Sequence, residues 1–471
     1  MALNVSFMQE LLNTVAEQGR ALLPKGLFGL GGEESVEELT RALVSGRGEA
    51  SGVAIARQLL THYKDLTGEE RGQFFRFLAG TMAPDPAAIA AAAQSYLDQP
   101  SAAALAALQE CVESPRRELF RRLNLAPGAT AGIVGMRKDL AAQPDADGSL
   151  KAVDADLRAL LQTWFNRGFL VLKRIDWQTP ASILEKIIAY EAVHEIKGWE
   201  DLRRRLDPAD RRCFAFFHPS LVDEPLIFVE VALVTEIPSA IGPLISMNRT
   251  ATAHAEPTTA VFYSISNCQE GLKGISFGNF LLKQVVEDLV REKPSLTTFV
   301  TLSPVPHFAR WLDRAAAGSL PGAVTAADQK NLAMLSDPNW PRDEAKLAGL
   351  KASVMALAAH YLMVAKSNNN RPVDPVARFH LGNGARLERI NWLGDMSEKG
   401  LREAHGLMVN YRYEIKDIEK NHEAYANDGT VASSKAARAW LRVSPAAKPV
   451  SAAKTVLALP AVTTRRSQIR N

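Results

Sequence analysis

The chain has 471 residues, of which 47% are hydrophobic and 23% are charged, so two or more domains are expected rather than one ordinary core. Its apolar stretches are far shorter than the ~20 residues that span a bilayer, and its start lacks the features of a signal peptide. The three cysteines, Cys111, Cys213 and Cys268, form no CxxC pair, which argues against a zinc site and a disulfide-stapled fold. Reduced thiols are favoured over an intermolecular bridge, and a cytoplasmic location is expected.

The formal net charge of +3 is unevenly distributed along the chain. Residues 431–471 contain eight basic residues and no acidic one, which leaves the rest of the chain at −5. A basic tail can contact nucleic acid or anionic surfaces. Only one aromatic residue, Trp440, accompanies these charges, so a base-stacking platform is not supported. We interpret 431–471 as a basic tail that is disordered or lightly docked, and we expect neither nucleic acid nor membrane as a partner.

Residues 1–164 have helical apolar spacing, and many segments begin with Ser, Thr or Pro. Thr67, with Glu70 three residues later, has the form of a capping box. No cluster of His, Cys or carboxylate residues with metal-ligand spacing occurs here. This stretch therefore predicts an N-terminal all-α domain that serves as a scaffold or in assembly. Helices are predicted at 8–23, 35–45, 51–66, 67–82, 86–98, 101–112 and 150–165.

The pattern changes near Trp164, and residues 165–430 predict a mixed α/β domain. Its chemistry is expected in one stretch, where an apolar run at 260–266, an amphipathic segment at 277–292 and an apolar run at 299–302 predict a βαβ unit. The strands of such a unit lie parallel, and ligands bind at their carboxyl ends. The other predicted elements are a β segment at 168–177, a helix at 180–195, an antiparallel hairpin of runs 211–217 and 226–234, and a helix at about 343–365.

A loop with Gly271, Gly274 and Gly278 follows the first strand of this unit. Backbone N–H groups at a helix N-terminus bind phosphate, and glycines let the phosphate approach the backbone closely. The loop is not a Walker loop and lacks GxGxxG spacing. Its Q-x-G-x-x-G arrangement resembles Q-x-x-G-x-G, the acyl-CoA pyrophosphate loop of the GNAT acetyltransferase fold. A structural turn is the alternative, but the position between strand and helix favours phosphate binding.

Two further residues stand in contexts that suit chemistry. Ser303 lies at the end of the second strand, in LSPVP, and His380 lies between Phe379 and Leu381 beside a Gly-Asn-Gly turn. Taken alone, a serine at a strand end most often forms a turn, and a half-buried histidine is more often structural than catalytic. The elbow GxSxG of the α/β-hydrolases is absent, so an ordinary serine hydrolase is not expected.

Several longer motifs, in order along the chain, resemble the malonyl-CoA decarboxylase family over about 165–425. The resemblance implies a helix bundle used in assembly, followed by a domain similar to the acetyltransferases, and homo-oligomers that are often tetramers. It does not cover the tail after about residue 432. The motifs are FYSISNCQEGLKGISFGNFLLK (262–283), LSPVPHFARWL (302–312), DPVARFHLGNGARLERINWLGD (374–395) and GLMVNYRYEI (406–415).

The resemblance also implies roles for individual residues. Ser303 and His380 match the catalytic serine and histidine of the family, and Ser264 and Tyr413 match residues that line or support the site. Ser276 stands where animal members have a glutamate, so no catalytic carboxylate is assumed there. The residues that match the CoA-binding stretch, with Gly271 in the same loop, are Lys273, Gly274, Ile275, Ser276, Phe277, Gly278 and Asn279.

The implied activity is the conversion of malonyl-CoA to acetyl-CoA and CO₂ by a carbon–carbon lyase. The thioester itself delocalises the charge left by departing CO₂, so no metal, PLP or thiamine is required and no cofactor is expected. A dyad of Ser303 and His380 is expected to stabilise the enolate and to protonate it. Two alternatives use the same loop: an acyl-CoA-dependent N-acetyltransferase, and a non-catalytic CoA-binding scaffold.

Overall fold

The computed structural model describes residues 34–46, 48–246, 256–275, 277, 281–318, 324–367 and 370–442, with the backbone alone for Arg167. Several predictions lie outside the described residues: the helix at 8–23, the roles of Ser276, Gly278 and Asn279, and the tail from 443 onward.

The N-terminal part of the described chain is helical, as predicted. The capping box at Thr67 is present, because the Thr67 N–H donates to Glu70 Oε2 at 2.7 Å and the Thr67 hydroxyl accepts from the Glu70 N–H. The last two helices before residue 143 lie where no separate helix is predicted. The helices are α1 (Val36–Val44), α2 (Glu49–Asp65), α3 (Gly68–Gly80), α4 (Pro86–Asp98), α5 (Ala102–Val112), α6 (Pro115–Leu123), α7 (Ala129–Ala142) and α8 (Leu150–Trp164).

Most of these helices share one apolar core, with Phe75, Leu119 and Leu157 fully buried at its centre. Helices α4 and α5 differ, because they pack on each other and neither contributes a buried residue. Large apolar side chains on them are exposed, Leu97 to 72% and Leu105 to 41%. We call residues 86–112 the α4–α5 hairpin.

The second part is a mixed α/β domain, so the predicted fold class of a helical region followed by a mixed α/β domain is confirmed. The described strands form one sheet in the order β1-β2-β3-β4-β5-β8-β6, and β7 pairs with β8. The strands are β1 (Val171–Ile175), β2 (Arg211–Phe217), β3 (Pro225–Val234), β4 (Thr259–Asn267), β5 (Thr298–Thr301), β6 (Ser303–Pro304), β7 (Arg386–Asn391) and β8 (Met408–Arg412). The helices are α9 (Ala181–Tyr190), α10 (Trp199–Leu206), α11 (Gly242–Ile245), α12 (Leu281–Glu292), α13 (Phe308–Ala316), α14 (Ala326–Leu332), α15 (Glu344–Met363), α16 (Pro375–Gly382), α17 (Glu398–Ala404), α18 (Ile418–Asp428) and α19 (Lys435–Arg438).

Both predicted strand pairings are confirmed: β2 and β3 form an antiparallel hairpin, and β4 and β5 are parallel with α12 between them. The pairing of β4 with β5 ends at Phe262, whose carbonyl accepts the Leu302 N–H at 3.0 Å. Strand β4 continues to Asn267, while Ser303 turns to pair with Val409 on β8. The two strands therefore diverge, and a cleft opens at their carboxyl ends.

Two predicted helices are shorter than expected. The helix predicted over 180–195 ends at Tyr190, because the Glu191 carboxylate accepts the N–H groups of Val193 and His194 at 2.8 and 2.7 Å in place of helical carbonyls. The segment predicted as helical from Phe277 is helical from Leu281 among the described residues.

Residues 431–442 dock on the α/β domain. The Ser434 N–H donates to Leu387 O at 2.9 Å, and Arg442 forms a two-pronged ion pair with the buried carboxylate of Asp328. Within the part of the chain that the structure covers, no helix combines the length and the apolar character needed to cross a membrane.

Candidate active site

Ser303 and His380 lie in hydrogen-bond contact, with 3.0 Å between Ser303 Oγ and His380 Nε2. Both are buried, with exposed fractions of 6% and 2%. Ser303 begins β6, two residues after the end of β5, whereas His380 comes from the last turn of α16. The fold thus brings two residues from distant segments to the carboxyl end of the parallel strand pair.

Both ends of α16 are held in place, which orients the imidazole. At its start, the Asp374 carboxylate accepts the Ala377 N–H at 2.7 Å. Beyond its end, Gly384 has a positive φ of 81°, and a Cβ added there would lie 2.2 Å from Ile418 O. His380 therefore sits on a short helix that has little freedom to shift.

A chain of hydrogen bonds determines which imidazole nitrogen carries the hydrogen. Ser303 donates its hydroxyl hydrogen to Thr301 Oγ1 at 2.8 Å, so it accepts a hydrogen bond from His380 Nε2. We therefore assign the imidazole hydrogen to Nε2, and Nδ1 accepts from the Tyr413 hydroxyl at 2.8 Å. The Tyr411 ring stacks on the imidazole with 4.6 Å between centroids. The order of donation is Tyr413, His380, Ser303, Thr301.

Burial keeps the hydrogen-bonded side chains of His380 and Tyr413 uncharged. It lowers the pKa of His380 to about 3, so the imidazole is neutral at pH 7. It also raises the pKa of Tyr413 well above the ordinary tyrosine value, so the phenol keeps its proton. The serine and histidine consequently form a neutral hydrogen-bonded pair.

The pair lines a cavity of about 240 Å³. Most of the other described lining residues are apolar, among them Phe262, Ile265 and Val376, and they include no lysine or arginine. An acyl group that enters this cavity therefore leaves water for a largely apolar environment with Ser303 and His380 on its wall.

A second cavity, of about 610 Å³, adjoins the first, because Asn267 and Phe379 line both. Lys273 and Arg378 line it with exposed side chains that can meet a negatively charged ligand. Of the predicted CoA-binding stretch, the residues that line this cavity are Lys273, Gly274, Ile275 and Phe277.

Two predicted site residues, Gly271 and Ser264, lie away from both cavities and do not contact the dyad. Gly271 is buried against helix α7, and Ser264 is buried beneath the sheet surface. The Ser264 hydroxyl donates to Glu191 Oε2 at 2.7 Å, and Glu191 also holds the N–H of Val193, which lines the cavity of the dyad. Ser264 thus supports the site through Glu191.

Sequence reasoning missed Glu191, Asn267 and Arg137. Glu191 falls inside a predicted helix, and Asn267 ends β4 with no pattern that marks it. Arg137, on α7, donates to two carbonyl oxygens of the glycine loop across more than a hundred residues. No local pattern signals such a contact. Among the described residues, no group of three or more His, Cys, Asp or Glu could hold a metal ion.

Two family models match the chain: the malonyl-CoA decarboxylase C-terminal domain over residues 168–451 and the N-terminal domain over residues 82–165. The chain belongs to the malonyl-CoA decarboxylase family. All described residues that line the two adjoining cavities lie within the C-terminal match.

Curated relatives and solved structures agree with this assignment. Mitochondrial malonyl-CoA decarboxylase of Anser anser anser is 38% identical over 339 residues, which span 66% of this chain and 66% of that protein. The protein of the same name from Rattus norvegicus is 35% identical over 342 residues, 68% of this chain and 69% of its own length. The chain thus spans about two thirds of these relatives.

Two crystal structures titled malonyl-CoA decarboxylase match more of the chain. The one from Rhodopseudomonas palustris is 53% identical with a TM-score of 0.84, and it covers 86% of this chain and 100% of that chain. The one from Agrobacterium vitis is 53% identical with a TM-score of 0.81, at 87% and 100% coverage. The resemblance to the malonyl-CoA decarboxylases that the sequence motifs indicate is therefore confirmed.

Proposed function

We propose that this protein converts malonyl-CoA to acetyl-CoA and CO₂. The observation that carries the proposal is the hydrogen-bonded pair of Ser303 and His380 in a cavity that adjoins the glycine-loop cavity. The larger cavity accommodates the CoA portion, with Lys273 and Arg378 facing its phosphates. The smaller cavity receives the malonyl group.

Breaking the bond between the carboxylate and the α-carbon releases CO₂ and leaves an electron pair that the thioester takes up as an enolate. The substrate charge thereby moves from a carboxylate in apolar surroundings to the thioester oxygen. The Ser303 hydroxyl, which donates to Thr301 in the free protein, turns to the thioester oxygen and stabilises this charge, while His380 Nε2–H donates to Ser303 and strengthens that donor. Both side chains are uncharged at neutral pH, because burial lowers the pKa of His380 to about 3.

Protonation of the α-carbon completes the reaction. The enolate is a strong base, so a neutral hydroxyl suffices as its acid. Ser303 gives its proton to carbon and takes the Nε2 proton of His380, while the Tyr413 hydroxyl keeps its proton and stabilises the charge on the ring through its hydrogen bond to Nδ1. One proton from water that enters as the products leave then restores His380 Nε2–H. One C–C bond breaks, one C–H bond forms, and the thioester supplies the only electron sink, so no cofactor is proposed.

The direct test is incubation of the protein with malonyl-CoA alone, with CO₂ and acetyl-CoA followed together. Equal amounts of both products, with no free CoA, are expected. CoA release that depends on an added amine would indicate acyl transfer instead. CoA binding without turnover would indicate a scaffold, and either of these two results would overturn the proposal.

We also propose that a second copy of this chain covers the α4–α5 hairpin, within a homo-oligomer that we expect to be a tetramer. Two short helices without a buried residue are not stable in isolation, and their exposed leucines suit an apolar contact. Light scattering of the full chain, compared with a Leu97→Glu, Leu105→Glu variant, tests this.

The proposed location is the cytoplasm, which the buried free thiols of Cys213 and Cys268 support. The curated animal relatives are named mitochondrial, so cell fractionation is the deciding experiment.

A further inference from the structure

A buried arginine of the helical region holds the glycine loop of the α/β domain. Arg137, on α7, is only 8% exposed. Its Nη1 donates to the carbonyl oxygens of Gly271 at 2.7 Å and Lys273 at 2.9 Å. Its Nε donates to the Asp154 carboxylate of α8 at 2.8 Å, which fixes the direction of the guanidinium. These are charge-assisted hydrogen bonds that join two parts of the chain far apart in sequence.

The backbone of the loop also lies directly against α7. A Cβ added to Gly271 would lie 1.9 Å from the carbonyl oxygen of Val134, so only glycine permits this approach. One turn along the same helix, Lys138 forms an exposed ion pair with Glu270 at 2.9 Å. The helix thus contacts consecutive positions of the loop, and the guanidinium is the buried centre of that contact.

We propose that Arg137 is a positioning residue for CoA binding, which makes the helical region part of the substrate site as well as a scaffold. Arg137 does not line the cavity, so it acts through the loop. By holding the carbonyl groups of Gly271 and Lys273 on the helix side, it turns Gly274, Ile275 and the Lys273 side chain towards the cavity. The loop is then ordered before the ligand arrives, so the free energy of CoA binding is not reduced by ordering the loop.

This inference rests on the proposed function only in taking CoA as the ligand of the loop. It predicts that CoA binds more weakly when Arg137 is removed, because the glycine loop is no longer ordered in advance. Without the guanidinium, the loop must be ordered by the ligand itself, so affinity falls for molecules that carry the CoA phosphates. A substrate that ends at pantetheine does not reach the phosphate-binding part of the loop and is not affected.

The chain contains a matched control in Arg116. This arginine is 4% exposed, and its Nε donates to Asp156 at 3.0 Å on the same helix α8. Its Nη1 donates to two backbone carbonyl oxygens, those of Leu78 at 3.0 Å and Ala79 at 3.3 Å, both within the helical region. Its removal eliminates a similar set of buried contacts and leaves the contacts of the glycine loop unchanged.

The experiment compares Arg137→Ala with Arg116→Ala in the full chain. Calorimetry gives the Kd for CoA, kinetics give kcat and KM for malonyl-CoA and for malonyl-pantetheine, and thermal denaturation gives the stability of each variant. For Arg137→Ala we expect Kd and KM with the CoA ligands to rise about tenfold or more, with a smaller change in kcat. KM for malonyl-pantetheine should stay near the wild-type value. Arg116→Ala should lose comparable stability while its Kd for CoA is unchanged.

Asp154→Asn provides a second reading, because it weakens the support of Arg137 at a half-buried position and keeps the side-chain shape. We expect it to raise the Kd for CoA in the same direction by a smaller factor. Equal effects of the two arginine variants on Kd, or equal losses with malonyl-CoA and malonyl-pantetheine, would overturn the inference. Calorimetry with CoA requires no turnover, so a wild-type protein that binds CoA but releases no CO₂ contradicts the proposed function and leaves the binding comparison decisive for Arg137.

Discussion

Because Ser303 and His380 are joined by a hydrogen bond, the loss of kcat on removing either side chain can be predicted in magnitude. Loss of a positioned proton-transfer group typically lowers a rate by ~10²–10⁴, or about 3–5 kcal/mol of activation free energy. Ser303→Ala and His380→Asn are each expected to lower kcat by this order, with a smaller change in KM. Since Ser303 Oγ and His380 Nε2 are 3.0 Å apart and form one proton path, the double variant should be about as slow as the slower single variant.

The assay is single-turnover release of CO₂ from malonyl-CoA at saturating protein, which separates the chemical step from binding and product release. Ser353→Ala is the control for loss of a buried serine hydroxyl, since Ser353 is 2% exposed and accepts its hydrogen bond from Asn331 on α14. It should retain near-wild-type turnover. A double variant whose loss equals the product of the two single losses would refute the shared proton path, and near-wild-type turnover of a single variant would remove that residue from the mechanism.

Three further predictions concern the dyad and the glycine loop. Because burial lowers the pKa of His380 to about 3 while the unfolded value is near 6.5, the unfolded chain binds more protons between these values. The stability of wild type relative to His380→Asn should therefore be lost as pH falls below about 6.5, measured by denaturant titration, and kcat/KM should show no histidine inflection between about pH 5 and 8. Tyr413→Phe removes the donor to Nδ1 and should lower kcat by about two- to tenfold in the same CO₂ assay. An unchanged kcat would contradict the assignment of the imidazole hydrogen to Nε2. Gly271→Ala drives a Cβ into Val134 O and should lower stability by about 1–3 kcal/mol in thermal denaturation, whereas Gly135→Ala, with open space, should not.

Local pattern was sufficient to predict most of the architecture. The apolar spacing of the first 164 residues predicts helices because one face of each must be buried, and the capping box at Thr67 is present in the structure. The strand, loop, helix and strand over 260–302 are confirmed as a parallel βαβ unit. The helix predicted to continue to residue 195 is wrong in its last turn, since the side chain of Glu191 competes for backbone N–H groups that a periodicity argument assigns to the helix.

The sequence by itself determined the family, the order of the elements and the two residues, Ser303 and His380, whose contexts suit the chemistry. Only the tertiary structure decided that these residues touch, that the imidazole is neutral with its hydrogen on Nε2, and that Arg137 holds the glycine loop. The reason is physical. Apolar periodicity and turn residues act between near neighbours in the chain. A hydrogen bond between distant residues, a pKa shifted by burial or a shared cavity depends on which distant segments pack together.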